Sequence, residues 1–593
     1  MTDQFKETID NYQNNLNHDR RRFDAIGYIK VALAIVFLFA AYKTYVNQNN
    51  AVWKAAAAAA LVIQILLWIR QLRLREEISH SKGIIGINQR HISRATGQWT
   101  TFADTGEEFV DLTHPYASDL DIVGPKSLFQ FLNITHSWSG RQTFARDLLH
   151  AGYSKEEISK RQNACRELSE HRQLADELEY CFSRIGIDES TPSLLADLEN
   201  SRPFLKPLPI RLLLLYFPPV LIGITGLAVI LQWNRLFYPL FIMYTIQALA
   251  GCIGLPAAGQ YLRPLRRLPY KLSVYSDVID TLEAAEFTSP LLLQIQAGLC
   301  TSDVSAAKAM KDLARIANKT DVRSNPVLSL ILNLFLLWDL ECAVSFSDWK
   351  ADYAPHCRYW FDSLGTLESL GCFATLTKVC DLTCFPTIAG PPGISAAELG
   401  HPLLMPAKRV TNSLQLHNGI MIISGSNMSG KTTFLRTAGI NLVLARAGSA
   451  VCAKDMTCPV MSPYTSMRIA DDLNAGISTF YAELERIKNI LTASRQDSTT
   501  FFLIDEIFRG TNSVDRLQGA RTVITKLNEM GAVGMISTHD LELCELEKIN
   551  SRSRNYNFAE HYRNGQIYFD YKLRPGKSKT TNAQYLMEML GIL

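Results

Sequence analysis

Gly425-Ser426-Asn427-Met428-Ser429-Gly430-Lys431-Thr432 is the stretch that decides the fold of the C-terminal third. It fits G-x-x-x-x-G-K-[ST] at every fixed position. The apolar run Ile420 to Ile423 precedes it and reads as a buried strand. Thr432 to Ala445 follows with helical character. Strand, loop and helix in that order are the context the motif requires. Glycines let backbone amides approach phosphates, and the helix N-terminus adds the positive end of its dipole. The spacing predicts an ATP site in which residues 425–430 and Thr433 surround the phosphates. Lys431 is expected at the β- and γ-phosphates, and Thr432 on Mg²⁺.

Two further strands supply acid–base groups. Thr500-Phe-Phe-Leu-Ile-Asp505-Glu506 is apolar and ends in two acids. A parallel strand of this kind delivers carboxylates to the sheet edge where the phosphate loop lies. Asp505 is suited to hold Mg²⁺ through water, and Glu506 to polarise the attacking water. The strand Val533 to Ser537 ends in Thr538-His539-Asp540, which places His539 where it can contact the γ-phosphate.

The intervening blocks carry a family resemblance. Asp471-Asp472-Leu-Asn-Ala-Gly476-Ile-Ser478-Thr479-Phe480 resembles the "DDL…G-x-STF" segment of MutS-type ATPases. Asp505-Glu506-Ile-Phe-Arg509-Gly510-Thr511 is similar to their "DE-x-x-RGT" block. His401-Pro402 looks like their entry motif, and Tyr571 to Gly576 like their final strand and turn. The resemblance implies an ABC-type ATPase that works as a head-to-tail homodimer. It places Ser478 on the γ-phosphate in trans, a residue that also suits the N-cap of the helix starting near Phe480. It puts Asn512 and Ser513 at the dimer seam and Val410 and Asn412 near the adenine. Arg409 falls, by offset, where the family has an aromatic residue against the base. Asp119 to Leu149, Arg161 to Leu168 and Pro269 to Leu382 resemble the helical core of the same family. Its mismatch-reading and connector domains find no matching stretch. The letters Phe5-Lys6-Glu7 and Phe558-Ala559-Glu560 repeat its base-probing tripeptide by coincidence, the first in a short polar tail.

Four apolar stretches point to a membrane. Leu212 to Leu231 and Leu236 to Ala258 carry no charge, and each is long enough for a hydrocarbon core of about 30 Å, which takes roughly 20 helical residues. Ile26 to Tyr45 and Ala51 to Ile69 carry only Lys30, Lys43 and Lys54, near enough to the ends for snorkelling. Arginines 20–22, 70, 73 and 75 flank the first pair; Lys206, Arg211, Arg263, Arg266 and Arg267 flank the second. The positive-inside rule then puts both termini and the ATPase on the cytoplasmic side of the cytoplasmic membrane. No cleavable leader is apparent. Twelve cysteines show no paired metal-ligand spacing; Cys380 and Cys384 read as thiols in a reducing compartment.

The expected architecture is an α/β P-loop ABC-type ATPase domain on an all-α core, with two transmembrane helical hairpins. Its divisions are a polar tail (1–24), first hairpin (25–75), linker (76–118), helical core (119–205), second hairpin (206–262), returning core (263–385) and ATPase (386–593). A net charge of +3 predicts no global attraction to nucleic acid, so a DNA ligand rests on the resemblance alone. The competing expectation is a membrane mechanochemical ATPase whose dimer closure moves the apolar helices.

Overall fold

The computed structural model describes residues 2–46, 51–186, 191–199, 203–205, 208–265, 268–300, 305–467, 479–508, 513–563 and 566–578. The chain forms two compact units, one of residues 1–132, 375–442 and 451–593, the other of 133–374 and 443–450.

Among the described residues, ten strands lie in the first unit: β1 (Thr387–Ile388), β2 (Gly393–Leu399), β3 (Asn412–His417), β4 (Ile420–Ser424), β5 (Asp455–Cys458), β6 (Ser462–Ser466), β7 (Thr500–Asp505), β8 (Val533–Thr538), β9 (Ser553–Arg563) and β10 (Gln566–Pro575). Six form a sheet in the order β10-β9-β4-β8-β7-β6; the other four form a second sheet, β1-β5-β2-β3. In the larger sheet β9, β4, β8, β7 and β6 run parallel and β10 is antiparallel at the edge. Every residue of β4, β7 and β8 is buried, as continuous apolar runs covered on both faces should be. Ile422, Phe502, Ile504, Ile524 and Ile536 share one core. Gly534 is fixed by close approach: a Cβ there would lie 2.2 Å from the Phe502 carbonyl oxygen. The register pairs Ser424 with Thr538 and Ser537 with Asp505, so the ends of β4, β7 and β8 share one sheet edge.

The N-terminal region differs from the sequence reading. Residues 1–24 are expected as a polar tail, yet Thr2–Val46 is one helix, and Ala51–Ala95 runs unbroken past the expected boundary at residue 75. Phe5 stacks on His91 at 5.3 Å, Tyr12 meets His80 at 5.9 Å, and Lys30 Nζ donates to Gln71 Oε1 at 2.9 Å. The descending partner numbers make the pair antiparallel. Each helix has 45 residues, about 68 Å, more than twice a hydrocarbon thickness. Hydropathy marks only the apolar half; the polar half is helical because Phe5 and Leu16 bury against the partner.

Among the described residues, the second unit is built of helices, with an isolated antiparallel bridge at Cys300 and Ser305. Ser137 caps the helix Trp138–Leu149 through Gly140 N at 2.9 Å. Ser154 and Glu157 form a capping box on Lys155–Glu170. The apolar helices Leu208–Ile230 and Phe237–Tyr261 form a hairpin around a turn at Asn234–Leu236. Among the described residues, four helices are long and apolar enough to cross a membrane: these two and the N-terminal pair.

Candidate functional site

The loop after β4 is built on two glycines in conformations other residues avoid, Gly425 at φ +151° and Gly430 at φ +106°. A Cβ on Gly430 would come within 3.0 Å of the Tyr571 ring. Lys431 opens the helix Lys431–Ala447, and its ammonium folds back onto the loop, donating to Gly425 O at 2.6 Å and Ser426 O at 2.9 Å. It also lies 3.7 Å from Glu506 Oε1. Thr432 Oγ1 donates to Asp505 Oδ2 at 2.8 Å, and the Ser537 hydroxyl donates to the other Asp505 oxygen. Glu506 sits at φ +55°, a conformation costly for a residue with a Cβ, and its N–H donates to Ser537 O at 3.1 Å. His539 Nδ1 is 3.6 Å from Glu506 Oε2. The structure therefore brings together Lys431, Thr432, Asp505, Glu506 and His539, which the sequence draws from three separate segments.

A cavity of about 910 Å³ opens over this edge. Ser426, Asn427, Met428, Gly430, Lys431, Thr432 and Thr433 line it from the loop, with Glu506 beside them and Val410 and Asn412 opposite. Gly425, Ser429, Asp505 and His539 are not among the lining residues; Asp505 is reached through Thr432 and His539 through Glu506. Ser426 Oγ and Ser429 Oγ are buried with no hydrogen-bond partner among the described residues, so the loop holds polar groups for a further ligand. A lysine, donor-rich loop amides and a Thr–Asp pair form a set that fits phosphates and a hard divalent cation. Ser478 and Asn512, and the side chain of Ser513, lie outside the described residues.

Arg409, which by offset stands where the family has its aromatic residue, does not line the cavity. It donates to Leu404 O at 2.7 Å, His401 O at 3.1 Å and Asp381 Oδ1 at 2.8 Å, and touches the buried Cys380 Sγ at 3.3 Å. The aromatic surface comes instead from β10, where sequence reading assigned Tyr571 only to a strand. The β9–β10 ladder is interrupted between Phe569 and Leu573, which leaves Tyr571 at φ +55°. Asn412 holds this bulge from β3: its Nδ2 donates to Tyr571 O at 3.0 Å and its Oδ1 accepts from Leu573 N at 2.8 Å. Tyr568 and Tyr571 both line the cavity.

His401 supports the loop leading to Val410. Its Nδ1 accepts from Leu403 N at 3.3 Å, and burial together with Arg436 and Arg409 pushes its pKa down to about 4. The unfolded chain takes up that proton near pH 6.5. The native state holds fewer protons between those values, so stability is full above about pH 6.5 and falls as pH drops toward 4. Unfolding free energies of the solubilised chain from urea titration are expected to decline across that window, by up to about 1.4 kcal/mol per pH unit, and His401→Gln to flatten the decline. An unaltered slope in the variant would assign the proton to another group.

The family signature of MutS domain V matches residues 421–592, the segment that carries β4, the loop, β7 and β8. Residues 421–592 are a MutS-type domain V. The MutS-type region is 30% identical over 282 residues to DNA mismatch repair protein MutS 2 of Haloarcula marismortui, covering 43% of this chain and 29% of that protein. It is 34% identical over 199 residues to DNA mismatch repair protein MutS of Macrococcus caseolyticus (32% and 23%). For the Thermus aquaticus protein of the same name the figures are 33% over 184 residues, 31% and 22%. The alignments thus span under a third of the length of these curated relatives.

Proposed function

We propose that the chain is a membrane-anchored, Mg²⁺-dependent ATPase whose MutS-type domains pair head to tail around ATP. The observation that carries this reading is the convergence of Lys431, Thr432 and Glu506 in the lining of one cavity, with Asp505 hydrogen-bonded to Thr432 beside them. Loop amides and Lys431 hold the triphosphate, and Lys431 exchanges its contacts with Gly425 O and Ser426 O for phosphate oxygens. Thr432 would ligate Mg²⁺ and Asp505 would hold it through water; the ion would supply charge neutralisation at the phosphates. Glu506 takes the proton of the attacking water, and His539, beside it, contacts the γ-phosphate. Ser478 from the partner subunit completes the site. Val410 and Tyr571 enclose the base. Tyr571→Ala is expected to weaken ATP binding about two- to tenfold, and Tyr571→Phe to preserve it, in titrations with a fluorescent ATP analogue. Equal affinity in all three proteins would remove Tyr571 from the base site.

The ligand proposed for the dimer is DNA, since the relatives are mismatch repair proteins by name. Hydrolysis by the purified full chain, with and without Mg²⁺ and with plain, mismatched or branched duplexes, tests both parts. Mg²⁺-dependent turnover that DNA alters, with DNA binding that falls steeply with salt, is the expected result. No DNA binding at low salt would remove the DNA role. The four apolar helices favour a second reading, in which closure of the ATPase pair moves membrane helices. Stimulation by vesicles and not by DNA is its signature.

A further inference from the structure

We propose that the helix Pro326–Leu336 is a re-entrant element that dips into the bilayer beside the hairpin of residues 208–261 and returns to the face it entered from. This rests on that hairpin being in the membrane.

Pro326-Val-Leu-Ser-Leu-Ile-Leu-Asn-Leu-Phe-Leu336 contains no charged residue. Val327, Leu328, Leu330, Ile331, Leu334 and Phe335 are all exposed, Val327 and Leu330 by 68% and 70%. That many large apolar side chains on one short helix mark an interaction surface. The helix is docked on the hairpin: Gln247 Nε2 donates to Leu334 O at 2.9 Å, and the Tyr244 and Phe335 rings lie 5.5 Å apart. Gly251 admits Leu337 by close approach, a Cβ there falling 3.2 Å from it. These contacts sit near the middle of the 25-residue helix Phe237–Tyr261, which itself exposes Phe241, Leu249 and Ile253. A bilayer that covers those three residues reaches the short helix too.

By itself the helix is too short for a full crossing, and the bend and charges that follow favour a return over a continued span. Eleven residues give about 16 Å, roughly half a hydrocarbon core. At Leu337, φ +51°, the chain bends by 78° into the helix Trp338–Val379, whose first turns carry Asp339, Glu341, Asp348 and Lys350. Charges at that density do not complete a span. Entry and exit are tied at one level: Arg323 before the helix pairs with Asp339 after it at 2.8 Å, and Lys319 with Glu341 at 3.1 Å. Backbone at a bend in lipid needs internal partners. Asn333 supplies them, accepting from Asp339 N at 2.9 Å through its side chain and from Leu337 N at 3.2 Å through its carbonyl.

The test uses the full chain in phosphatidylcholine vesicles whose acyl chains carry a mid-chain diazirine. After illumination, peptic peptides are mapped for lipid adducts. Adducts on 326–336 are expected at yields about tenfold above those on the charged helix Ala306–Asp321, alongside adducts on 237–261. Adducts on the hairpin alone would overturn the re-entrant helix and leave the membrane reading standing; adducts on neither would overturn both. The pair Leu330→Lys with Phe335→Lys is expected to cut the 326–336 yield about tenfold with the hairpin yield unchanged. An undiminished yield would show that the label reaches this helix from outside the bilayer, and would overturn the inference.

Discussion

Glu506→Gln is expected to lower ATP turnover about 10²- to 10⁴-fold and to leave ATP binding intact. Gln has the shape of Glu and lacks its basicity, so the substitution isolates proton acceptance from fold. The position is held by its backbone: the N–H bond to Ser537 O and the φ of +55° aim the side chain out of the sheet edge toward Lys431. Those constraints are unchanged in the variant. ATP then stays bound without being cleaved, and the ATPase pair accumulates as a dimer, read by light scattering in the presence of ATP and Mg²⁺. Lys431→Met gives the contrasting result, because the loop loses the cation that meets the β- and γ-phosphates, and binding itself falls. Turnover at the wild-type rate in Glu506→Gln would show that another group activates the water. Lost binding would show that Glu506 acts on the nucleotide or the fold.

The phosphate loop and the two acids are legible in the sequence because each role is local. A glycine pattern, a lysine and a strand ending in Asp505-Glu506 need only their own segments and the rule that parallel strands end at one edge. His539 follows from the same rule. Tyr571 is not legible, because its place at the cavity depends on a bulge that Asn412 holds from another strand. Arg409 is legible in part: the offset shows that the family's aromatic residue is missing at that point, but not that the side chain bonds Leu404, His401 and Asp381 instead. The long N-terminal helices exceed their apolar halves, and hydropathy reports only those halves. Pro326–Leu336 falls short of the roughly 20 residues that a span requires, so only its exposure in the fold brings it to notice.

The second large effect lies in the helical unit and concerns stability. Asp147 is 1% exposed and accepts from Arg161 Nη2 at 2.6 Å, Tyr153 OH at 2.6 Å and Ser369 Oγ at 2.7 Å. Arg161 is also buried; its Nε donates to Ala447 O at 2.7 Å, and its guanidinium lies 4.4 Å over the Tyr153 ring. Burial alone would push the guanidinium pKa down, but Asp147 and Tyr153 outweigh it and hold it above the ordinary value. Burial pushes the Tyr153 phenol up to about 12, so it serves as a donor. Asp147→Ala therefore strands a buried cation and two hydroxyls, at a cost of about 3–5 kcal/mol. Hydrogen-exchange protection of the helices Trp138–Leu149 and Lys155–Glu170 is expected to fall by two to three orders of magnitude, roughly the factor that energy sets. Adding Arg161→Met to Asp147→Ala is expected to recover part of that protection, because the stranded charge is then gone. A loss below about 1 kcal/mol in the single variant would mean that water or a neighbouring group reaches Arg161. Sequence reading has Asp147 and Arg161 only as members of two separate helical blocks, with no role for either. Their pairing is a tertiary fact, and it turns two residues that seem dispensable along the chain into the polar centre of the unit.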